Sequence, residues 1–248
     1  MRAQGAAARS RADGTFCSRT IPGTAGNPAI IGSVNREEIV AQKSRTHSKT
    51  RLSRALGVAL TPKAARIMEN RPYQPGEHGR TKRRSDSDYA VRLKEKQRLR
   101  AQYGIREKQL RRTFTRATKA SGMTGANLVE LLEMRLDALV LRSGFARSMA
   151  QARQFVVHRH ITVDGQIVDR PSFEVQPGQV IGVKTSSESL EPFQVAASGG
   201  NAEVLPDVPG YLDVALDKLE AKLDRRPKRD EVPVTCDVQL VVEYYAAR

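Results

Sequence analysis

The sequence predicts an α+β fold: a series of basic helices, then a helix pair that runs directly into a small sheet built from hairpins. Three observations predict it. Apolar residues recur at helical spacing from Tyr89 to Val140, divided by Gly104 and Gly122. The stretch ITVDGQIV, residues 161–168, alternates apolar and polar side chains around Asp164-Gly165, a strong hairpin turn signal. The charge is also lopsided. Residues 43–119 hold 23 basic against 6 acidic residues, whereas residues 120–248 hold 14 against 18. With 248 residues the chain is long enough for one large domain or two small ones.

The elements follow in order. Residues 1–33, rich in Ala, Gly, Ser and Arg and without a period, read as disordered. KSRTHSKTRLSRALG, 43–57, is a basic arm with too few apolar residues to dock firmly by itself. RPYQPGEHGR, 71–80, has two prolines and two glycines in ten residues and reads as a rigid, turning loop. A first helix begins at Tyr89, capped by Asp86, Ser87 or Asp88, and ends at Gly104. A second, 105–121, turns Leu110, Phe114 and Ala117 inward and shows Lys108, Arg111, Arg112, Arg116 and Lys119 outward. In a third, Asn127 and Glu130 have capping-box spacing, Leu128 to Val140 form an apolar stripe, and a kink is expected around Met134-Arg135.

The next helix leads into the hairpin, and SFEVQPGQVIGV adds two strand runs around Pro177-Gly178. The segment after Lys184 reads as a connector. Residues 207–233 hold a short helix with Leu216, Leu219 and Leu223 inside, then a charged loop. In VPVTCDVQLVVEYYAAR, at the end, strand and helix periods both fit.

The net charge of +15 points to a polyanionic partner. Solvated helix faces normally mix signs, so the basic run is read as a nucleic-acid contact rather than plain surface. With Arg147 at zero on a helical wheel, Gln151, Gln154 and His158 lie within about 40° and Arg153 on the flank, opposite Met149, Ala152 and Val156. No acidic residue occurs from Arg142 to Thr162. Guanidinium, amide and imidazole donors on a rigid helix suit the phosphates and 2′-hydroxyls of RNA.

The sequence contains no phosphate-cradling loop and no nucleophile elbow, so no enzyme class is indicated. Cys17 and Cys236 cannot build a zinc site, and His158 and His160 project in different directions with no third ligand nearby; no metal is expected. Cys236 reads as a small buried apolar residue. No apolar run approaches the ~20 residues of a membrane helix, and the chain reads as intracellular and soluble.

RLDALVLRSGFARSMAQARQFVVHRHITVDGQIVDRPSFEVQPGQVIGV, 135–183, resembles the small RNA-binding fold named after ribosomal protein S-four. That module also occurs on pseudouridine synthases, a tyrosyl-tRNA synthetase and a heat-shock protein. The flanks are more specific. RPYQPGEHGR, LKEKQRLRAQYGIREKQLRR, YLDVALDKLEAKLDRRPKRDEVPV and QLVVEYYAAR resemble the bacterial small-subunit ribosomal S-four family in its own order, from about Lys49 to the end.

The resemblance implies a mainly helical domain, 43–125 with 205–248, into which the RNA-binding module 126–204 is inserted; it favours helix at the C-terminal end. Residues 1–42 are then an extension. Within it, 1–33 have no counterpart and are expected to be disordered or absent from the mature protein, with synthesis starting near Val34.

The resemblance further implies a non-enzymatic primary binder of 16S rRNA in the 30S subunit. Such a protein grips a junction in the 5′ domain, nucleates assembly and contributes to translational accuracy. Its implied neighbours are proteins S-five and S-three and the mRNA where it enters the subunit, with the protein cytoplasmic in the ribosome. Some members repress their own operon. This chain lacks the four-cysteine zinc site of many relatives, and Gln74 stands where a second proline is commoner.

The candidate rRNA contacts are Arg51, Arg54, Arg71, Tyr73, Arg80, Lys94, Lys96, Arg98, Arg111, Arg112, Arg135, Arg147, Gln151, Arg153, Gln154 and His158. Two alternatives remain open at this point: an RNA-modifying or tRNA-handling enzyme carrying the same module, and a general nucleic-acid-binding stress protein.

Overall fold

The computed structural model describes residues 48–81, 87–202 and 204–247. The expected extension, residues 43–47 of the basic arm and the cap Asp86 lie outside the described residues. Helix α1 (Lys49–Leu56) starts at Ser48, whose hydroxyl accepts from the Arg51 amide, and stops at Gly57 with φ 74°. Thr61 caps α2 (Pro62–Asn70), with proline at its first position. Ser87 is the cap used by α3 (Asp88–Gln102). Then follow α4 (Glu107–Lys119), α5 (Thr124–Glu133) and α6 (Leu136–Arg142). The expected kink is the break between α5 and α6 at Met134-Arg135. Loop 71–80 is irregular apart from one 3-10 turn, Glu77–Gly79.

Helix α7 (Met149–Val157) leads through Arg159 (φ 63°) into β1 (Ile161–Val163) and β2 (Gln166–Ile167), with Asp164 and Gly165 both at positive φ. Strand β3 (Val180–Val183), helix α8 (Glu191–Ala197), strands β4 (Leu212–Ala215) and β5 (Glu220–Leu223), and helix α9 (Val238–Ala246) complete the chain. The sheet is antiparallel in the order β2-β1-β3-β5-β4, with Val163 opposite Ile181 and Ile181 opposite Ala221.

Four sequence expectations need correction. Asn127 lies inside α5, and its amide donates to the carbonyls of Ala117, Ala120 and Ser121, closing the end of α4 instead of starting its own helix. The run at SFEV is no strand of the sheet; Phe173 and Val175 bond to the chain at the α5–α6 break, where Arg135 and Glu174 form an isolated bridge. The connector after Lys184 contains α8, which buries Phe193 completely. Residues 212–223 form the β4–β5 hairpin, not a helix. Leu219, Ala221 and Leu223 alternate inward, and β5 satisfies the open edge of β3, which a helix could not do. The sheet therefore takes strands from both sides of the expected 204/205 boundary. At the end of the chain, the structure has the helix the resemblance favoured.

A continuous core runs from Leu99 and Leu110 through Leu128, Leu132 and Leu139 to Ile161, Ile181 and Val241. Helix α9 lies along α3, with Val238, Val241 and Tyr244 buried and Phe114 stacked on Tyr245 at 4.7 Å. The core also encloses a carboxylate. Tyr103 and Tyr211 donate to Glu133 at 2.6 and 2.9 Å, and Arg142 pairs with the same group. Burial, reinforced by Glu133, pushes both phenols well up. Burial alone would lower the Arg142 guanidinium, but Glu133 raises it.

Candidate nucleic-acid interface

Helix α7 presents its predicted face with one change of role. Ser148 caps it, and the Gln151 side-chain oxygen accepts from the Arg147 amide at 2.9 Å, so Gln151 is tied to the helix start. Arg147, Gln154 and His158 are exposed, while Ala152, Phe155 and Val156 are buried. The absence of nearby acid does not hold in space. Arg153 lies 3.6 Å from Asp137, a carboxylate already held by Arg135. Past the helix end, His160 fixes the exit. Its amide donates to Phe155, its carbonyl accepts from Lys184, and its Nδ1 lies 2.9 Å from the Ser187 hydroxyl. Burial, with His158 and Lys184 nearby, holds its imidazole below the usual value.

The remaining candidates divide sharply. Arg51, Arg71, Lys94, Arg111, Arg112, Arg147 and Gln154 form no side-chain hydrogen bond or ion pair among the described residues, and all but the half-buried Lys94 are exposed. Arg135 and Lys96 are corrections. Arg135 is buried and bidentate on Asp137; Lys96 is 4% exposed, bonds Glu107 at 3.1 Å and sits over the Tyr244 ring. Arg98 pairs with Glu95 and donates to the Leu56 carbonyl at 2.8 Å, locking α1 onto α3. Arg54 is bound to the loop 71–80, over Tyr73, and Arg80 lies beside the same ring. Glu95 three residues before Arg98, and Asp137 two residues after Arg135, were visible signals of those pairs; nothing local announces the Lys96–Glu107 pair or the Arg54 contacts.

Sequence reasoning missed the groove between α2 and α7. A cavity of about 230 Å³ lies there, floored by Leu60, Pro62, Ala65 and Met149 and rimmed by Arg147. Neighbouring hollows add Lys63 and Arg66, then Lys49 and Arg153, to the rim. The available signal was Thr61-Pro62, a capped helix start that places Lys63 and Arg66 on one face. The α3–α4 end holds the acid Glu107. Burial would raise its carboxyl, but hydrogen bonds from Lys96 and Tyr245 hold it below the usual range.

Among the described residues no group of three or more His, Cys, Asp or Glu is placed to hold a metal, and no helix is long and apolar enough to cross a membrane. Residues 44–133 match the family described as ribosomal protein S4/S9 N-terminal domain, and residues 134–181 match the S4 domain. Over 205 residues the chain is 76% identical to small ribosomal subunit protein uS4 of Leifsonia xyli subsp. xyli, covering 83% of this chain and 99% of that one. The chain belongs to the uS4 family.

The uS4 protein of Clavibacter michiganensis subsp. michiganensis is 72% identical over 209 residues, covering 84% and 100% of the two chains. That of Tropheryma whipplei (strain Twist) is 69% identical over 201 residues, covering 81% and 98%. Membership in the uS4 family makes this a ribosomal protein and not an enzyme, which sets aside both alternatives left open by the sequence. The border between the two matched segments falls at the α5–α6 break. Glu133 and the Arg116–Glu174 pair, 2.8 Å at Nη2, tie the chain across that border.

Proposed function

We propose that this protein is a structural, primary rRNA-binding component of the small ribosomal subunit, and that it grips a junction in the 5′ domain of 16S rRNA. The observation that carries this reading is the set of open donors: Arg111 and Arg112 on α4, and Arg147, Gln154 and His158 on or beside α7, all exposed and, among the described residues, bonded to no carboxylate. Cations that a protein intends for its own stability are paired, as Arg135 and Arg142 are. Those left open on rigid helices are suited to phosphate and ribose.

Nucleation of 30S assembly and a contribution to decoding accuracy belong to this reading, as do contacts with proteins S-five and S-three and with entering mRNA. So does a two-part organisation. The RNA-binding module starts near 126 and takes in the β4–β5 hairpin, and a helical part joins α1–α4 to α9. The test is binding of the full chain to a transcript of the 16S 5′ domain, beside a 3′-domain transcript at the same salt. Equal affinity for the two would overturn the junction reading. Failure to co-sediment with salt-washed small subunits would overturn the ribosomal one.

A further inference from the structure

Loop 71–80 is folded back on itself around Tyr73. Arg54, from α1, donates to the Tyr73 carbonyl from Nε and Nη2 at 3.1 and 2.9 Å, and to the Gln74 carbonyl at 3.2 Å. Its guanidinium carbon lies 5.0 Å from the Tyr73 ring centroid. At the other end of the loop, the Arg80 guanidinium carbon is 4.7 Å from the same centroid, and its Nη2 reaches the Tyr73 hydroxyl at 3.4 Å. Close approach of the two ends requires glycine at 79, where a Cβ would come within 2.0 Å of the Gln74 carbonyl oxygen.

The two arginines differ in what they have left to give. Arg54 has spent its fork on backbone carbonyls and is anchored. Arg80 is exposed and, among the described residues, makes one long hydrogen bond, to a neutral phenol. An aromatic face holds a guanidinium in place without cancelling its charge. A carboxylate would neutralise it, as Glu174 does for Arg116 and Asp137 for Arg135. A ring with guanidinium groups this close is also poorly placed to stack on a base.

We propose that Tyr73 is a positioning residue that presents Arg80 to a single rRNA phosphate, with Arg54 as the strut that holds the presenter. This rests on the rRNA-binding reading above and assigns different roles to three residues that the sequence alone grouped as contacts. The phenol itself is held below its usual value, chiefly by the Arg80 hydrogen bond, with Arg71 and Arg54 adding to it, which fits a locally cationic loop.

The experiment titrates the full chain with the 16S 5′-domain transcript over a range of salt. Its variants are Arg80→Ala, Arg80→Lys, Tyr73→Phe, Tyr73→Leu, the double Tyr73→Leu/Arg80→Ala, and Arg111→Ala/Arg112→Ala. Loss of a charge-assisted contact predicts an affinity drop of about tenfold for Arg80→Ala, and a salt slope shallower by roughly 0.7–0.9. Tyr73→Leu should match it in both affinity and slope, and the double variant should be no weaker than either single. Tyr73→Phe keeps the ring and should stay within about threefold of the parent. Arg80→Lys should keep the parent slope.

Additive losses in the double variant would mean that Tyr73 touches RNA itself, which overturns the positioning role. Parent-like binding by Arg80→Ala, with Arg111→Ala/Arg112→Ala weakened, overturns the proposal and leaves the rRNA reading intact. If none of the variants loses affinity, the rRNA reading fails first. A Tyr73→Leu variant that loses affinity while keeping the parent slope has lost folding rather than a contact, and that too overturns the proposal.

Discussion

Val156, on α7, and His158, at its C-terminal cap, are two residues apart and carry opposite expectations. Val156 is fully buried and His158 is exposed. Replacing Arg147, Gln154 and His158 together by alanine should leave the melting temperature nearly unchanged, since among the described residues none of them bonds a carboxylate or fills the core. The same variant should lose at least about tenfold in affinity for the 5′-domain transcript. Val156→Ala should do the reverse, losing about 1–3 kcal/mol through a cavity while the donors stay in place. A triple variant that melts early but binds normally would assign α7 to structure alone. Arg135 offers the sharper contrast with Arg112. Both are arginines in basic sequence, but Arg135→Ala leaves Asp137 buried with only the exposed Arg153 at 3.6 Å as a cationic partner, at a cost of about 3–5 kcal/mol. Arg112→Ala should cost little stability and make the salt dependence of RNA binding shallower. Chemical denaturation of both variants beside an RNA titration separates the two roles.

At the scale of elements, α4 is moored by two carboxylates whose folded values lie below the ordinary glutamate value of 4.5. Glu174 is held there by Arg116, and Glu107 by Lys96 and Tyr245 against the cost of its burial. Groups depressed on folding contribute stability that is fully present above 4.5 and lost as pH falls through their folded values. Melting temperature should therefore fall as pH drops below about 5, and less steeply in Glu107→Gln/Glu174→Gln. An unchanged pH slope in that variant would place the acid sensitivity elsewhere. The helices from Asp88 to Arg142, the break between α5 and α6, and the Asp164-Gly165 hairpin were legible because each is a local pattern. What could not be read was which cations find acids. Glu107 and Glu174 meet Lys96 and Arg116 only through the tertiary fold, so Lys96 looked like a contact; Asp137 stands two residues from Arg135, and its burial with Arg135 is what the local sequence does not announce. The β4–β5 hairpin failed for a different reason. Leu216, Leu219 and Leu223 satisfy helical spacing as well as Leu219, Ala221 and Leu223 satisfy alternation, and only the waiting edge of β3 decides between them. Most of the α7 face was visible in advance; the α2–α7 groove was not, because its walls come from segments far apart in sequence.

For the whole molecule, the Glu133 network joins α3, α5, α6 and the start of β4 at one buried point. Tyr103→Phe and Tyr211→Phe should each destabilise by about 1–3 kcal/mol, because each strips a donor from a carboxylate that water cannot reach. The double variant should fall short of or exceed their sum, since both phenols serve one group. Strict additivity in denaturant titrations would mean that Glu133 does not couple them. The order of the sheet carries a consequence for synthesis. Strand β3 leaves the ribosome well before β5, its neighbour in the sheet, and α3 well before α9, to which Arg92 and Glu243 tie it at 3.0 Å. A nascent chain paused near residue 204 thus carries an unfinished strand edge and an uncovered helix face, both apt to find the wrong partner. Strand β5 and helix α9 act as late fasteners: the newly made chain closes its sheet and covers α3 only once both have emerged, and a chain cut short of them should aggregate sooner than work in part.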